Sequence, residues 1–90
     1  MLEKEIEAYL VKRVKDMDGI AYKFVSPQRR SVPDRIVVIK GKHIFFVELK
    51  STVGKLSEGQ AREIARLRDL GQTVFVCNSK EQVDEVLRDI

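Results

Sequence analysis

The 90-residue sequence predicts an α/β domain covering residues 1–90, built as a mixed four-stranded sheet flanked by helices in the order α-β-β-β-α-β-α. Three observations carry this prediction. Apolar residues recur every three or four positions in three separate stretches, the signature of amphipathic helices. Two nearly continuous apolar runs, 35–40 and 43–50, read as strands covered on both faces. A helix lies between the third and fourth strands, a crossover of the kind that joins parallel neighbours.

The first helix runs from Glu3 to Met17, with Ile6, Leu10, Val14 and Met17 on its buried side, and Asp18-Gly19 ends it. Ile20 to Val25 alternates and forms a strand; Ser26 to Pro33 is a polar loop bracketed by prolines. Arg35–Lys40 and His43–Lys50 are the next two strands, joined through Gly41. Ser57 caps the second helix, with Gln60 placed to reach back in a capping box and with Ala61, Ile64, Leu67 and Leu70 on the buried side. Gly71 terminates that helix, Thr73–Cys77 is the fourth strand, and Ser79 caps a last helix carrying Val83, Val86, Leu87 and Ile90.

A chain of this length supports one core and leaves no room for a nucleotide-cofactor module. Its longest uncharged apolar stretches, Ile36–Ile39 and Ile44–Val47, are too short to span a bilayer, so no membrane association is expected. The acidic start, Met1 to Glu7, is unlike a signal or transit peptide. The single cysteine, Cys77, sits in an apolar run as a small buried residue, and an intracellular, reduced setting follows. The net charge of +3 is unevenly spread: residues 19–68 hold eleven Lys/Arg against four Asp/Glu, while both flanking segments are acidic. Two of those four acids are Asp34 and Glu48, so a carboxylate pair lies within a basic field suited to a polyanion such as DNA.

Those two acids belong to a spaced pattern: Pro33-Asp34, thirteen intervening residues, then Glu48-x-Lys50. Two carboxylates can hold a divalent cation, and an ammonium beside them can orient a water or balance charge on a phosphate. By itself Glu48-x-Lys50 reads more readily as a surface ion pair on an edge strand; the preceding Pro-Asp and the basic surroundings add the specificity. Glu48 and Lys50 leave the same face of their strand. Asp34 joins them only in one register. A two-residue loop at Gly41-Lys42 would set Asp34 opposite Leu49, whereas a three-residue loop, Lys40–Lys42, sets it opposite Glu48. The shared site therefore predicts a three-residue connection or one bulge, with Gly41 at positive φ.

Asp34 and Glu48 offer hard oxygen ligands for Mg²⁺ or Mn²⁺, and the Leu49 backbone carbonyl is a further candidate. The first helix can add an acid. At 100° per residue, Glu3 and Glu7 fall about 30° and about 70° from the centre of the apolar stripe, and Glu5 points about 130° away. The capping box explains Gln60, whose amide could also contact a cation-bound water. Arg29, Arg30 and Lys55, on loops near the site, are candidate phosphate contacts. Tyr9 and Tyr22 read as partly buried packing residues and His43 as a surface residue.

The runs Val32-Pro33-Asp34-Arg35-Ile36-Val37-Val38, Phe46-Val47-Glu48-Leu49-Lys50 and Gly54-Lys55-Leu56-Ser57 with Gln60 resemble the VRR-NUC domain of the PD-(D/E)XK nuclease superfamily. Leu67-Arg68 with Gly71, the opening Glu3–Glu7 and Lys23–Pro27 extend the resemblance over nearly the whole chain. It implies a restriction-endonuclease-like fold and Mg²⁺- or Mn²⁺-dependent DNA cleavage, with Asp34 and Glu48 as metal ligands and Lys50 as the catalytic lysine. The family's first-helix acid falls on Glu3 or Glu7; Glu7 is favoured because its distance to Ser26 is closer to that in the similar archaeal junction resolvases. Stand-alone domains of this size resemble virus-type members, which implies a homodimer acting on branched DNA such as Holliday junctions. A nuclease nicking flaps or duplex, and a catalytically silent DNA-binding module of the same fold, are the alternatives.

Overall fold

The computed structural model describes residues Met1–Ile90. Its elements are α1 (Glu3–Asp16), β1 (Gly19–Lys23), β2 (Arg35–Ile39), β3 (Phe45–Leu49), α2 (Glu58–Asp69), β4 (Val74–Cys77) and α3 (Lys80–Asp89). The sheet order is β1-β2-β3-β4, with the first two pairings antiparallel and β3/β4 parallel across the α2 crossover. Element order and sheet type are those the sequence predicts.

The pairing register explains how the core forms. Ala21 lies beside Val37, Val37 beside Phe45, Val47 beside Phe75 and Leu49 beside Cys77, so these side chains share one face. Against that face pack Ile6, Leu10 and Val14 of α1 and Val83 and Leu87 of α3, in a single buried cluster. Burying each such aliphatic side chain contributes roughly 1.5–3 kcal/mol. Leu10→Ala, at a position 1% exposed, would cost about 2–5 kcal/mol. Cys77 belongs to this cluster, and burial pushes its thiol up to about 11, as expected of a packing residue.

Helices lie on both faces, as the apolar strands imply, but the second face is only half covered. On that face α2 lies against β4 and the adjoining end of β3. Toward β1, Ile20 and Tyr22 are 55% and 52% exposed and Val38 is 37% exposed. Tyr22 is thus not a buried packing residue, whereas Tyr9 is half-buried and donates to Asp84 at 2.7 Å. The inward side of α2 also differs. Ile64 is buried and Leu67 half-buried, but Ala61 and Leu70 are exposed, and Glu63 is buried in their place. The reason is that α2 faces the Ser26–Pro33 loop as well as the sheet, and that loop presents a guanidinium.

The β2–β3 connection resolves the register. Arg35 pairs with Val47, Ile36 with Phe46 and Val37 with Phe45; continuing this offset sets Asp34 against Glu48, as the shared site requires. The strands separate sooner than expected, leaving a five-residue connection, Lys40–Ile44, with the parity of the three-residue loop. Gly41 takes φ 75°. At the end of α1 the left-handed residue is Asp18, φ 59°, rather than Gly19. Gly19 serves close packing instead: a Cβ there would lie 2.7 Å from both Ile39 Cγ1 and the Val38 carbonyl.

Candidate active site

Asp34 is held from two sides. Its backbone carbonyl accepts from Phe24 N at 2.9 Å, closing the ends of the β1–β2 loop, and its carboxylate Oδ2 accepts from Leu49 N at 2.8 Å. Pro33, buried, fixes the chain entering it. The aspartate is thereby fastened to the last residue of β3, beside Glu48. The Phe24 and Phe46 rings, 5.7 Å apart, pack on the same side of the sheet as Glu48.

Glu48 is 1% exposed. Its Oε2 accepts from Gln60 Nε2 at 3.0 Å and lies 3.4 Å from Lys50 Nζ. Gln60 does two jobs at once: its Oε1 accepts from Ser57 N at 2.9 Å to complete the capping box, and its amide nitrogen holds the glutamate. The capping box forms as expected, and the amide nitrogen proposed from sequence for a cation-bound water is taken up by Glu48. Lys50 follows β3 with its backbone anchored to Cys77 O at 2.9 Å and its side chain only 14% exposed.

Burial, reinforced by the Asp34 charge and opposed by Lys50, pushes Glu48 up to about 7. Burial also raises Asp34, with Glu7 adding to the shift and the Leu49 amide, Lys50 and Arg35 opposing it. Two adjacent carboxylates, each disfavoured as anions, form a site that a cation would stabilise. Each also keeps an oxygen, Asp34 Oδ1 and Glu48 Oε1, that accepts no hydrogen bond. This donor set fits a hard divalent ion such as Mg²⁺ or Mn²⁺, which takes a few protein oxygens and fills its remaining positions with water or phosphate.

The other predicted site residues are placed less uniformly. Glu7 is half-buried, with its Oε2 2.8 Å from Arg35 Nε, while Arg35 Nη1 donates to the Ala21 carbonyl at 2.9 Å. Glu3 is exposed, yet its charge contributes to the raised pKa of Glu48. No three His, Cys, Asp or Glu side chains converge into a ready ligating cluster, so neither first-helix acid closes on the Asp34–Glu48 pair. Arg30 and Lys55 are exposed. Arg29 is clamped on Glu63, which also binds Arg66. Sequence reasoning missed Glu63 and Arg66; a glutamate one turn beyond Gln60, on the inward side of an amphipathic helix, was the available signal. His43 is exposed, at the opposite end of β3 from Glu48. The two surface cavities, one lined by Gly41–Phe45 and Ile90 and the other by Asp18–Ile20 and Val38–Gly41, include none of Asp34, Glu48 or Lys50.

An acid at the entry to β2, beside an acid and a lysine at the end of the neighbouring β3, in a mixed sheet with this topology, matches the PD-(D/E)XK pattern. Comparison with known proteins agrees. Residues 2–81 match the VRR-NUC domain family model. The chain is 49% identical over 79 residues to "Putative nuclease p44" of Acyrthosiphon pisum secondary endosymbiont phage 1, an alignment covering 88% of this chain and 85% of that protein. A solved structure titled as a VRR_NUC domain superposes with a TM-score of 0.88 at 32% identity, covering 96% of this chain and 94% of the other. The chain belongs to the VRR-NUC nuclease family.

Proposed function

We propose that the protein is a metal-dependent, structure-selective DNA endonuclease that hydrolyses phosphodiesters in branched DNA, acting as a homodimer on four-way junctions. The observation that carries this reading is the buried Glu48 carboxylate, set beside Asp34 and 3.4 Å from Lys50. Asp34 and Glu48 would hold Mg²⁺ or Mn²⁺, with the Leu49 carbonyl as a further candidate ligand and Glu7, held by Arg35 at the margin of the pair, reaching the ion through water or by a shift of its side chain. When bound, such an ion supplies Lewis-acid stabilisation of phosphate charge and lowers the pKa of a coordinated water.

The chain's own groups then have definite tasks. Gln60 fixes the Glu48 carboxylate, leaving Oε1 without a competing hydrogen bond. The Leu49 amide fixes Asp34 in the same way. Lys50, whose only close anionic partner is Glu48, offers an ammonium to orient the attacking water or meet charge developing on the phosphate. The basic central segment would draw DNA toward the acids, with Arg30 and Lys55 free to follow the backbone.

Selectivity for junctions rests on the likeness to virus-type members and on symmetry, since a four-way junction presents two related strands and a two-fold dimer presents two related sites. Likeness to a phage protein supports an intracellular setting, and no helix is long and apolar enough to cross a membrane.

The test is incision of a synthetic four-way junction, a flap and a linear duplex with Mg²⁺ or Mn²⁺, by the native chain and by Asp34→Ala and Lys50→Ala. Symmetric junction incision lost in both variants is the expected result. Preferential cutting of the flap or duplex would replace the junction assignment, and equal incision by the variants would remove the site. Calorimetric metal titration separates an enzyme from a silent module, and sedimentation reports the dimer.

A further inference from the structure

Glu63 is the one acid besides Glu48 that the fold buries, at 5% exposed, and it lies on the same face of α2 as Gln60, one turn on. Its carboxylate accepts from Arg29 Nε at 3.2 and 3.1 Å, from Arg29 Nη2 at 3.1 Å and from Arg66 Nη1 at 2.7 Å. Arg29 comes from the loop that ends in Asp34, and Arg66 from α2 itself. We propose that Arg29 and Arg66, organised by Glu63, form a phosphate-binding subsite for the DNA strand beside the incision site. This proposal rests on the nuclease reading for the identity of its ligand.

Three features favour a subsite over a purely structural clamp. One buried anion is shared by two cations, so the cluster keeps an excess positive charge. A clamp between loop and helix needs only one of the arginines. Both guanidinium side chains are 51% exposed, and Arg29 Nη1 and Arg66 Nε and Nη2 make no hydrogen bond in the fold. These are planar donors tethered to one carboxylate, Arg29 through Nε and Nη2 and Arg66 through Nη1, with their remaining N–H groups free for phosphate oxygens. The other arginines held by buried or half-buried partners are committed elsewhere: Arg35 to Glu7 and the Ala21 carbonyl, Arg13 to Asp84, and Arg68 to the Val74 carbonyl.

Position supports the same conclusion. Gln60 touches Glu48, and Glu63 follows three residues later, about 4.5 Å further along the helix axis. The loop lies directly on this stretch of the helix: a Cβ on Gly59 would come within 3.0 Å of Ser31 Oγ. A strand with one phosphate at Glu48 and Lys50 would therefore carry a neighbouring phosphate past the two guanidiniums. Because such contacts position the backbone and read no base, the subsite should act alike on junction, flap and duplex.

The test measures binding of a labelled four-way junction and a duplex by fluorescence anisotropy in EDTA across a sodium chloride series, so that incision plays no role. Arg66→Ala and Arg29→Ala should each weaken binding about equally on both DNAs and reduce the slope of log affinity against log salt by about 1. Glu63→Gln is the sharper variant. Removing a negative charge would tighten DNA binding if charge alone mattered. Loss of the organiser should instead weaken it, by about tenfold.

Tighter binding by Glu63→Gln, or an unchanged salt slope in Arg66→Ala, would overturn the proposal. Should Glu63→Gln not fold, as thermal melting would reveal, the slope of Arg66→Ala decides alone. A protein that fails to incise any DNA yet loses slope in Arg66→Ala would keep the subsite and lose the enzyme. Normal incision with an unchanged slope would do the reverse.

Discussion

The Asp34 carboxylate accepts a hydrogen bond from the Leu49 backbone amide at 2.8 Å, so the first acid of the site is fastened to the strand that carries the second. This bond separates the structural from the chemical role of Asp34. Asparagine can accept the same hydrogen bond through its carbonyl oxygen but brings no charge. Asp34→Asn should melt within a few degrees of the native chain and lose incision by at least about a hundredfold, while Asp34→Ala should also lose about 1–3 kcal/mol because the Leu49 amide is left without a partner. Melting curves and junction incision on both variants decide the matter. Native-level incision by Asp34→Asn would remove the aspartate from the chemistry.

A second prediction concerns pH. Glu48 is raised from an ordinary value of 4.5 to about 7, and Asp34 is raised as well. Across that window the folded state holds a proton that the unfolded chain has released, so the stability due to Glu48 is full below about 4.5 and lost as pH rises through about 7. Metal-free protein should therefore be less stable to unfolding at pH 8 than at pH 5.5, by an amount on the order of 1–3 kcal/mol and with a lower melting temperature, and Glu48→Gln should flatten the dependence. Cation binding needs the ionised form, so Mg²⁺ or Mn²⁺ should raise the melting temperature more at pH 8 than at pH 6. A metal-free native chain that becomes steadily more stable between pH 5.5 and 8 would contradict this account.

Gln60 permits a cleaner separation of folding from chemistry, because its two amide ends serve different partners. Gln60→Glu can still complete the capping box through a carboxylate oxygen, but it sets a second acid against Glu48. Gln60→Ala loses both contacts. The alanine variant should be destabilised by about 1 kcal/mol and the glutamate variant less so at pH 6, yet both should incise poorly at pH 8. If Gln60→Glu incised as the native chain does, the bond to Glu48 would be incidental to function.

Much of this was legible in the sequence because it depends on periodicity and parity. The side-chain period of two along β3 placed Glu48 and Lys50 together, and the odd length of the β2–β3 connection set Asp34 against Glu48 even though the two strands diverge sooner than the loop required. What escaped is what depends on partners distant in sequence. The helical spacing of Ala61, Ile64, Leu67 and Leu70 predicts an apolar inward side for α2; only the folded loop shows that Arg29 arrives there and makes Glu63 the buried residue. The open half of the sheet was hidden for a related reason. Apolar strand residues such as Ile20, Tyr22 and Val38 imply covering, but one short crossover helix cannot span four strands. Helix angles alone could not separate Glu3 from Glu7, since both border the apolar stripe.

That last choice is open to experiment, and Arg35 makes the two acids distinguishable. Glu7 is 21% exposed in its ion pair with Arg35, which is itself fastened to the Ala21 carbonyl, whereas Glu3 is exposed. Glu7→Gln leaves a half-buried guanidinium without its anion and should cost about 1–3 kcal/mol; Glu3→Gln should stay within about 0.5 kcal/mol of the native chain. The Glu7 charge acts on Asp34, and Arg35 fixes that acid at the edge of the site, so Glu7→Gln should weaken Mg²⁺ or Mn²⁺ binding by about tenfold or more whether the glutamate ligates directly or through water. Calorimetric titration of the two variants measures this without reference to DNA. A larger loss in Glu3→Gln would transfer the role to Glu3, whose charge reaches Glu48 instead, and would leave the Glu7–Arg35 pair as a fastening between α1 and β2.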